Sequence, residues 1–185
     1  DTSSLAKSLK TMNTIQSAGG PLICIDKGLS TIWFGTEGSS LLIGNSARPL
    51  SAYDRACASD DYISQIDVAD ALALVLGDMP LETGVWKSAD GFSAIVRFYY
   101  KDPETDPLQI LNQSKKLDMT DAVEEMAISL RCGDLIIFDS AIPGANIGGA
   151  FLPFDLPAGN YRVLTKRMEP DDRTSILVHQ FRPVG

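Results

Sequence analysis

The residues of this chain that could carry out chemistry are one histidine and three cysteines, all widely spaced. His179 is the single imidazole, and Cys24, Cys57 and Cys132 lie far apart in the sequence. A cysteine hydrolase needs a thiolate beside an imidazole that a third group orients. Cys57 follows Arg55 in a polar stretch, and a neighbouring cation lowers the pKa of a thiol. A small hydrolase using Cys57 or His179 is therefore one hypothesis.

The surroundings of these residues favour a structural role instead. His179 alternates with Leu177 and Phe181, which predicts a histidine on one face of a strand. Several aspartates near Cys57 oppose the effect of Arg55 on the thiol pKa. We therefore predict that the chain is not an enzyme and has no catalytic residues.

Metal and cofactor sites are not indicated either. A single histidine excludes a paired-histidine site, and the cysteines lack the close spacing of a zinc site. The acid pairs Asp60-Asp61 and Asp171-Asp172 lie outside any calcium-loop pattern and indicate solvated turns. Residues 143–149 form a glycine-rich loop without the Lys-Ser/Thr ending of a P-loop, and no helix follows it. We expect no metal and no cofactor.

The elements that must position these residues are mostly strands. Residues 20–26 and 133–139 share one pattern, in which a glycine, a polar or imino residue, a short apolar run and an aspartate follow each other. This pattern predicts a buried strand with turns at both ends. Residues 66–76 align with residues 154–164 without gaps. We predict one β unit used twice, over residues 15–100 and 133–182, and chance matching of apolar runs is the alternative.

Other segments complete the expected fold. The all-apolar residues 71–76 predict a central strand, and Asp90-Gly91 predicts a hairpin turn. Asp106-Pro107 predicts a helix start, and the apolar spacing over residues 119–130 predicts a second, amphipathic helix. We therefore predict an α+β, predominantly β fold. Its expected form is an antiparallel sandwich or open barrel with one or two covering helices.

Composition indicates the kind of partner. The chain has 185 residues, enough for one domain, which we place at residues 12–185 after a polar tail or expression remnant at 1–11. Its 24 acidic residues outnumber 16 basic ones, giving a net charge of −8, which argues against a nucleic-acid surface and favours a basic partner. Three widely spaced cysteines that do not form a disulfide framework, and the absence of a signal peptide or an apolar span, predict a cytoplasmic protein that does not enter a membrane.

One stretch joins acidic and aromatic side chains. From Ser51 to Asp70 the chain carries five aspartates against Arg55 alone. Aromatic residues are frequent anchors in protein interfaces, and acidic residues complement a basic partner. The predicted contact residues are Tyr53, Asp54, Arg55, Asp60, Asp61 and Tyr62.

Several motifs in order resemble the Imm21 family of immunity proteins from bacterial polymorphic-toxin systems. They are SAGGPLI at 17–23, YDRAC at 53–57, ALALVLGD at 71–78, DSA at 139–141 and PAGNYRV at 157–163. The resemblance runs from about residue 15 to residue 182 and implies that the chain neutralises a cognate toxin. Our hypothesis is that it does so by covering the toxin's active site. The resemblance implies a toxin partner, with a basic cleft as the expected feature. A non-catalytic ligand-binding or scaffold module is a further alternative.

Overall fold

A computed structural model of the chain describes residues 11–39, 50–77, 79–113 and 117–185. The predicted tail, apart from Thr11, lies outside these residues. Strands dominate the described part. In chain order, β1 to β11 are Thr14–Ile15, Leu22–Asp26, Ile63–Val68, Ala71–Leu76, Glu82–Lys87, Ser93–Tyr100, Glu124–Leu130, Asp134–Asp139, Leu152–Asp155, Gly159–Asp171 and Thr174–Pro183. The helices α1 and α2 are Ala52–Cys57 and Pro107–Gln113, and 3₁₀ turns cover Lys27–Ile32, Gly35–Gly38 and Gly144–Asn146.

The strands form two antiparallel sheets. The six-stranded sheet has the order β1-β5-β6-β11-β10-β7, and the five-stranded sheet has the order β3-β4-β2-β8-β9. Their inner faces share one apolar core, in which Phe154 of the five-stranded sheet meets Phe181 of the six-stranded sheet edge to face at 5.0 Å. This arrangement confirms the predicted α+β, predominantly β class, and the sheets do not close into a barrel.

Both outer faces are covered by segments between strands. α2 places Leu111 against Trp86 and Phe98 on the six-stranded sheet. The 3₁₀ turn Lys27–Ile32 and α1 flank a second cluster on the five-stranded sheet, where Trp33 packs with the strand residues. These described segments between β2 and β3 therefore contribute to the burial of this sheet. None of the described helices is both long and apolar enough to cross a membrane.

One predicted helix is correct and the other is wrong. α2 begins where expected, and Asp106 Oδ1 accepts a hydrogen bond from Leu108 N at 3.0 Å. The predicted helix over residues 119–130 is replaced by an irregular segment and β7. Asp121 has a φ of 60°, which no helix interior adopts. In β7, Met126, Ile128 and Leu130 alternate toward the core, because pairing with β10 selects the two-residue period over the helical one.

The strand order is the same in both halves of the chain. In the five-stranded sheet, β2 and β8 are neighbours, with β4 beyond β2 and β9 beyond β8. In the six-stranded sheet, β6 and β11 are neighbours, and β5 and β1 on one side correspond to β10 and β7 on the other. The gap-free alignment of residues 66–76 with 154–164 does not follow this order, because it places β4 on a strand of the other sheet. Among the described strands, β3 has no counterpart.

Candidate functional site

α1 fixes the first residues of the predicted contact segment. Ser51 Oγ accepts a hydrogen bond from Asp54 N at 3.1 Å, and Asp54 Oδ2 accepts one from Ser51 N at 3.2 Å. Ser39 Oγ donates to Asp54 Oδ1 at 2.5 Å. This reciprocal cap satisfies backbone groups at the start of the helix. Asp54 is 5 % exposed, so its carboxylate stabilises the helix start and does not face solvent.

Tyr53 and Arg55 also make internal contacts. Tyr53 is half-buried against the apolar cluster on the outer face of the five-stranded sheet. Arg55 Nη2 donates to the backbone carbonyl of Asp67 at 2.6 Å. Asp67 lies on the edge strand β3, and the register with β4 directs its carbonyl to the open edge. Arg55 therefore caps an edge that would otherwise present an unpaired acceptor to another strand.

The remaining predicted contact residues, Asp60, Asp61 and Tyr62, are exposed between α1 and β3, and we call them the acidic loop. Its backbone is held in place. Tyr62 N donates to Glu124 Oε1 at 3.0 Å, and Tyr62 O accepts from Gly77 N at 3.0 Å. A Cβ at Gly77 would lie 2.7 Å from the carbonyl oxygen of Asp61, so glycine permits this close approach. The loop thus combines exposed acidic side chains with a fixed backbone.

A concave feature lies toward the other end of β3. It is a groove of about 960 Å³ at the end of the five-stranded sheet. Its lining combines apolar side chains with acidic ones and one arginine. The acidic members are Asp26, Asp67 and Asp70, and the arginine is Arg131, whose Nη1 donates to the backbone carbonyl of Asp70 at 3.1 Å. We call this feature the β2–β4 groove.

His179 is a core residue. It is 0 % exposed on β11, and its Nδ1 is 2.9 Å from Thr165 Oγ1 on the neighbouring strand β10. Burial first, and then the positive charge of Arg97, lower the pKa of His179 to about 3. Arg97 is also fully buried, and its Nη2 donates to the carbonyls of Gly77 and Met79 at 3.1 and 2.7 Å. The imidazole is therefore neutral in the folded protein near pH 7.

Cys57 and His179 do not meet. Cys57 ends α1, which covers the outer face of the five-stranded sheet, whereas His179 belongs to the six-stranded sheet and shares the face of Phe181 in the core. The five-stranded sheet lies between them, and packed sheets are about 10 Å apart. The geometry required for a thiolate activated by this imidazole is therefore not present.

Other sequence candidates occupy structural positions. Gly144, in the glycine-rich loop, approaches the 3₁₀ turn at Ser30 so closely that a Cβ would lie 1.7 Å from the Ser30 carbonyl oxygen. Cys24 is buried in the core, and burial raises its pKa. Among the residues that the structure describes, no group of three or more His, Cys, Asp or Glu side chains is arranged to hold a metal ion.

The model of the family Imm21, immunity protein 21, matches residues 13–174. This chain belongs to the Imm21 family. No curated protein and no solved structure matches it.

Three of the segments that resemble Imm21 meet at one place in the fold. Asp139 Oδ2 accepts a hydrogen bond from Ala18 N at 2.8 Å, and Ser140 N donates to Pro21 O at 3.1 Å. A Cβ at Gly20 would lie 3.6 Å from Tyr53 Oη. One end of the five-stranded sheet is therefore stabilised by segments 17–23, 53–57 and 139–141. The contacts of these Imm21-like motifs with one another are structural.

Two features of the site were not predicted from the sequence. The apolar spacing predicts a helix at Glu124, yet Glu124 lies on β7 and its carboxylate reaches the other sheet, where it also accepts a hydrogen bond from Ile63 N at 3.3 Å. The β2–β4 groove joins residues from three separated segments, 26–32, 67–72 and 129–135, so no local pattern indicates it. One sequence feature pointed toward the groove. The predicted strands at 20–26 and 133–139 each end in an aspartate, and the first of these, Asp26, lines the groove.

Proposed function

We propose that this Imm21 protein binds a cognate polymorphic toxin in the cytoplasm and neutralises it by covering the toxin's active site. The match of the Imm21 model to residues 13–174 carries the immunity role. An inhibitor of this kind needs a stable complementary surface and no catalytic group of its own. The separation of Cys57 from His179 agrees with that requirement.

The acidic loop is the proposed contact region. Asp60, Asp61 and Tyr62 face solvent, and Tyr62 is 37 % exposed. Their backbone is already fixed by Glu124 and Gly77, so binding loses little conformational freedom. Tyr62, at the end of this loop, supplies an aromatic anchor.

The negative charge of the protein favours a partner with a basic surface. The net charge of −8 attracts a basic surface over a distance, and exposed acids on the contact region raise the association rate. A fast association is useful to an immunity protein because the toxin must be captured before it acts. Asp54 and Arg55 contribute indirectly, by fixing α1 and the edge of β3.

The test measures association of the purified protein with its cognate toxin domain. The variant Asp60→Asn/Asp61→Asn removes two loop charges, and Asp171→Asn/Asp172→Asn removes two charges from the β10–β11 turn as a matched control. We expect the loop variant alone to associate about threefold or more slowly at low salt, with the difference disappearing in high salt. Equal rates for both variants would exclude the acidic loop as the contact region.

A further inference from the structure

The β2–β4 groove exists because two neighbouring strands separate. Pairing between β2 and β4 runs from Leu22 with Leu76 to Cys24 with Leu74 and then stops. Beyond this point β2 continues to Asp26, paired only with β8, and β4 continues toward its first residue, paired only with β3. The five-stranded sheet is therefore split at one end, and the groove lies at the split.

The split leaves backbone groups directed into the groove. Tyr62 O accepts from Gly77 N, so alternate residues of β4, beginning with Ala71, direct their backbone groups to β3. Leu72 and Leu74 then direct theirs to β2. Leu74 pairs with Cys24 of β2. In the same register Leu72 would pair with Asp26, but the strand pairing stops before this position. Leu72 is 37 % exposed, which agrees with an open position.

The lining has two chemical parts. Its apolar part comes from Leu29, Ile32, Leu130 and Leu135. Its polar part is rich in acceptors. Among the lining residues that the structure describes, the carboxylates of Asp26, Asp67 and Asp70 outnumber the one guanidinium, that of Arg131. The groove therefore carries a net negative charge beside an apolar surface.

This combination fits a long side chain with an apolar stem and a cationic end. Arginine and lysine lay their methylene groups on apolar surface and keep the charge among polar groups. Arginine fits better, because its planar guanidinium has five donors and can bond carboxylates and a carbonyl together. The carboxylates of Asp67 and Asp70, with the open carbonyl of Leu72, are the matching acceptors.

We propose that the β2–β4 groove receives an arginine side chain from an extended segment of the partner toxin. The groove is a second contact region, because it lies toward the opposite end of β3 from the acidic loop. That the partner is a toxin rests on the proposed function, whereas the preference of the groove for arginine does not.

The first test uses a peptide and therefore needs no toxin. The ¹⁵N-labelled protein is titrated with the peptide acetyl-Gly-Arg-Gly-amide and with the same peptide carrying citrulline, which keeps the shape and loses the charge. We expect saturable shifts at the amides of Leu72 and Asp70 with the arginine peptide alone. No saturable shift, equal shifts with citrulline, or shifts confined to the acidic loop would overturn the proposal.

Variants separate the groove from the rest of the surface. Asp67→Asn/Asp70→Asn removes two rim charges but keeps the backbone carbonyls that Arg55 and Arg131 bind, so the fold is retained. We expect this variant to bind the arginine peptide about fivefold more weakly, as the loss of two solvent-exposed ion pairs predicts. Asp60→Asn/Asp61→Asn should bind it unchanged, and an equal loss in both variants would overturn the groove as the site.

The toxin experiment then distinguishes the two proposals. If the wild-type protein neutralises the toxin and Asp67→Asn/Asp70→Asn dissociates from it at least about threefold faster, the groove is part of the interface. If dissociation is unchanged, a toxin arginine does not occupy the groove, and the proposed function stands. If the wild-type protein fails to neutralise the toxin while arginine-peptide binding remains, the proposed function fails and the binding property of the groove stands.

Discussion

Asp26 and Asp139 occupy matching places at the ends of the neighbouring antiparallel strands β2 and β8. Each carboxylate accepts a hydrogen bond from the backbone N–H two residues further on, Gly28 at 2.7 Å and Ala141 at 2.9 Å. Asp139 also accepts a hydrogen bond from Ala18 N, in the connection that precedes β2, at 2.8 Å. Asp26 lines the β2–β4 groove together with Cys132, which lies in the connection that precedes β8. The two aspartates fix opposite ends of the split sheet.

The two aspartates should differ in their contribution to stability. Asp139 is 6 % exposed and accepts from two backbone N–H groups, whereas Asp26 is half-buried and accepts from one. Leaving buried donors without partners is costly, so Asp139→Ala should lower the free energy of unfolding by about 3 kcal/mol and Asp26→Ala by about 1 kcal/mol. Urea unfolding at neutral pH measures both. Equal losses would contradict the structural difference between the two ends.

His179 should make the protein sensitive to mild acid. Its pKa falls from the ordinary 6.5 to about 3 in the folded state, mainly through burial and then through Arg97. Between these values the unfolded chain binds the proton and the folded chain does not, so stability is lost as the pH falls below about 6.5. We expect a loss of about 2 kcal/mol between pH 7.5 and pH 5.

The measurement is chemical unfolding at pH 7.5, 6 and 5. Because the chain has one histidine, and most carboxylates titrate below this range, the change should disappear in His179→Gln. A wild-type protein and a His179→Gln variant with the same pH dependence would show that the imidazole is not the responsible group.

Gly144 should tolerate no side chain. An added Cβ would lie 1.7 Å from the Ser30 carbonyl oxygen, so Gly144→Ala must separate two backbone segments that both rest on the five-stranded sheet. We expect a loss of about 3 kcal/mol or failure to fold. Gly149→Ala is the matched control, since a Cβ there meets nothing within 4 Å. Thermal unfolding compares the two, and similar melting temperatures would refute the close approach.

Many of the strands were predictable because each is a short apolar run between turn residues, which is a local feature of the sequence. The shared pattern of residues 20–26 and 133–139 identified β2 and β8, and Asp90-Gly91 identified the β5–β6 hairpin. The second helix was predicted wrongly, because Met126 and Leu130 satisfy both the helical and the strand period, and only pairing with β10 decides between them. Internal duplication stays a prediction, which the matching strand order supports.

The candidate site was predictable in part. The acidic and aromatic composition of the acidic loop was visible in the sequence. The internal roles of Asp54 and Arg55 were not, because they depend on Ser39 and on the edge of β3. The β2–β4 groove was not predictable at all, since it depends on where the pairing of two strands stops.

We propose that this protein acts by stoichiometric binding of a toxin. The most direct measurement is the toxin's activity in vitro against increasing molar ratios of the purified protein, at concentrations well above the dissociation constant. Toxin activity should fall linearly and reach zero when the two proteins are present in equal amounts. Unchanged activity at excess protein, or complete loss at a small fraction of the toxin concentration, would contradict this proposal, the latter because only a catalyst acts at such ratios.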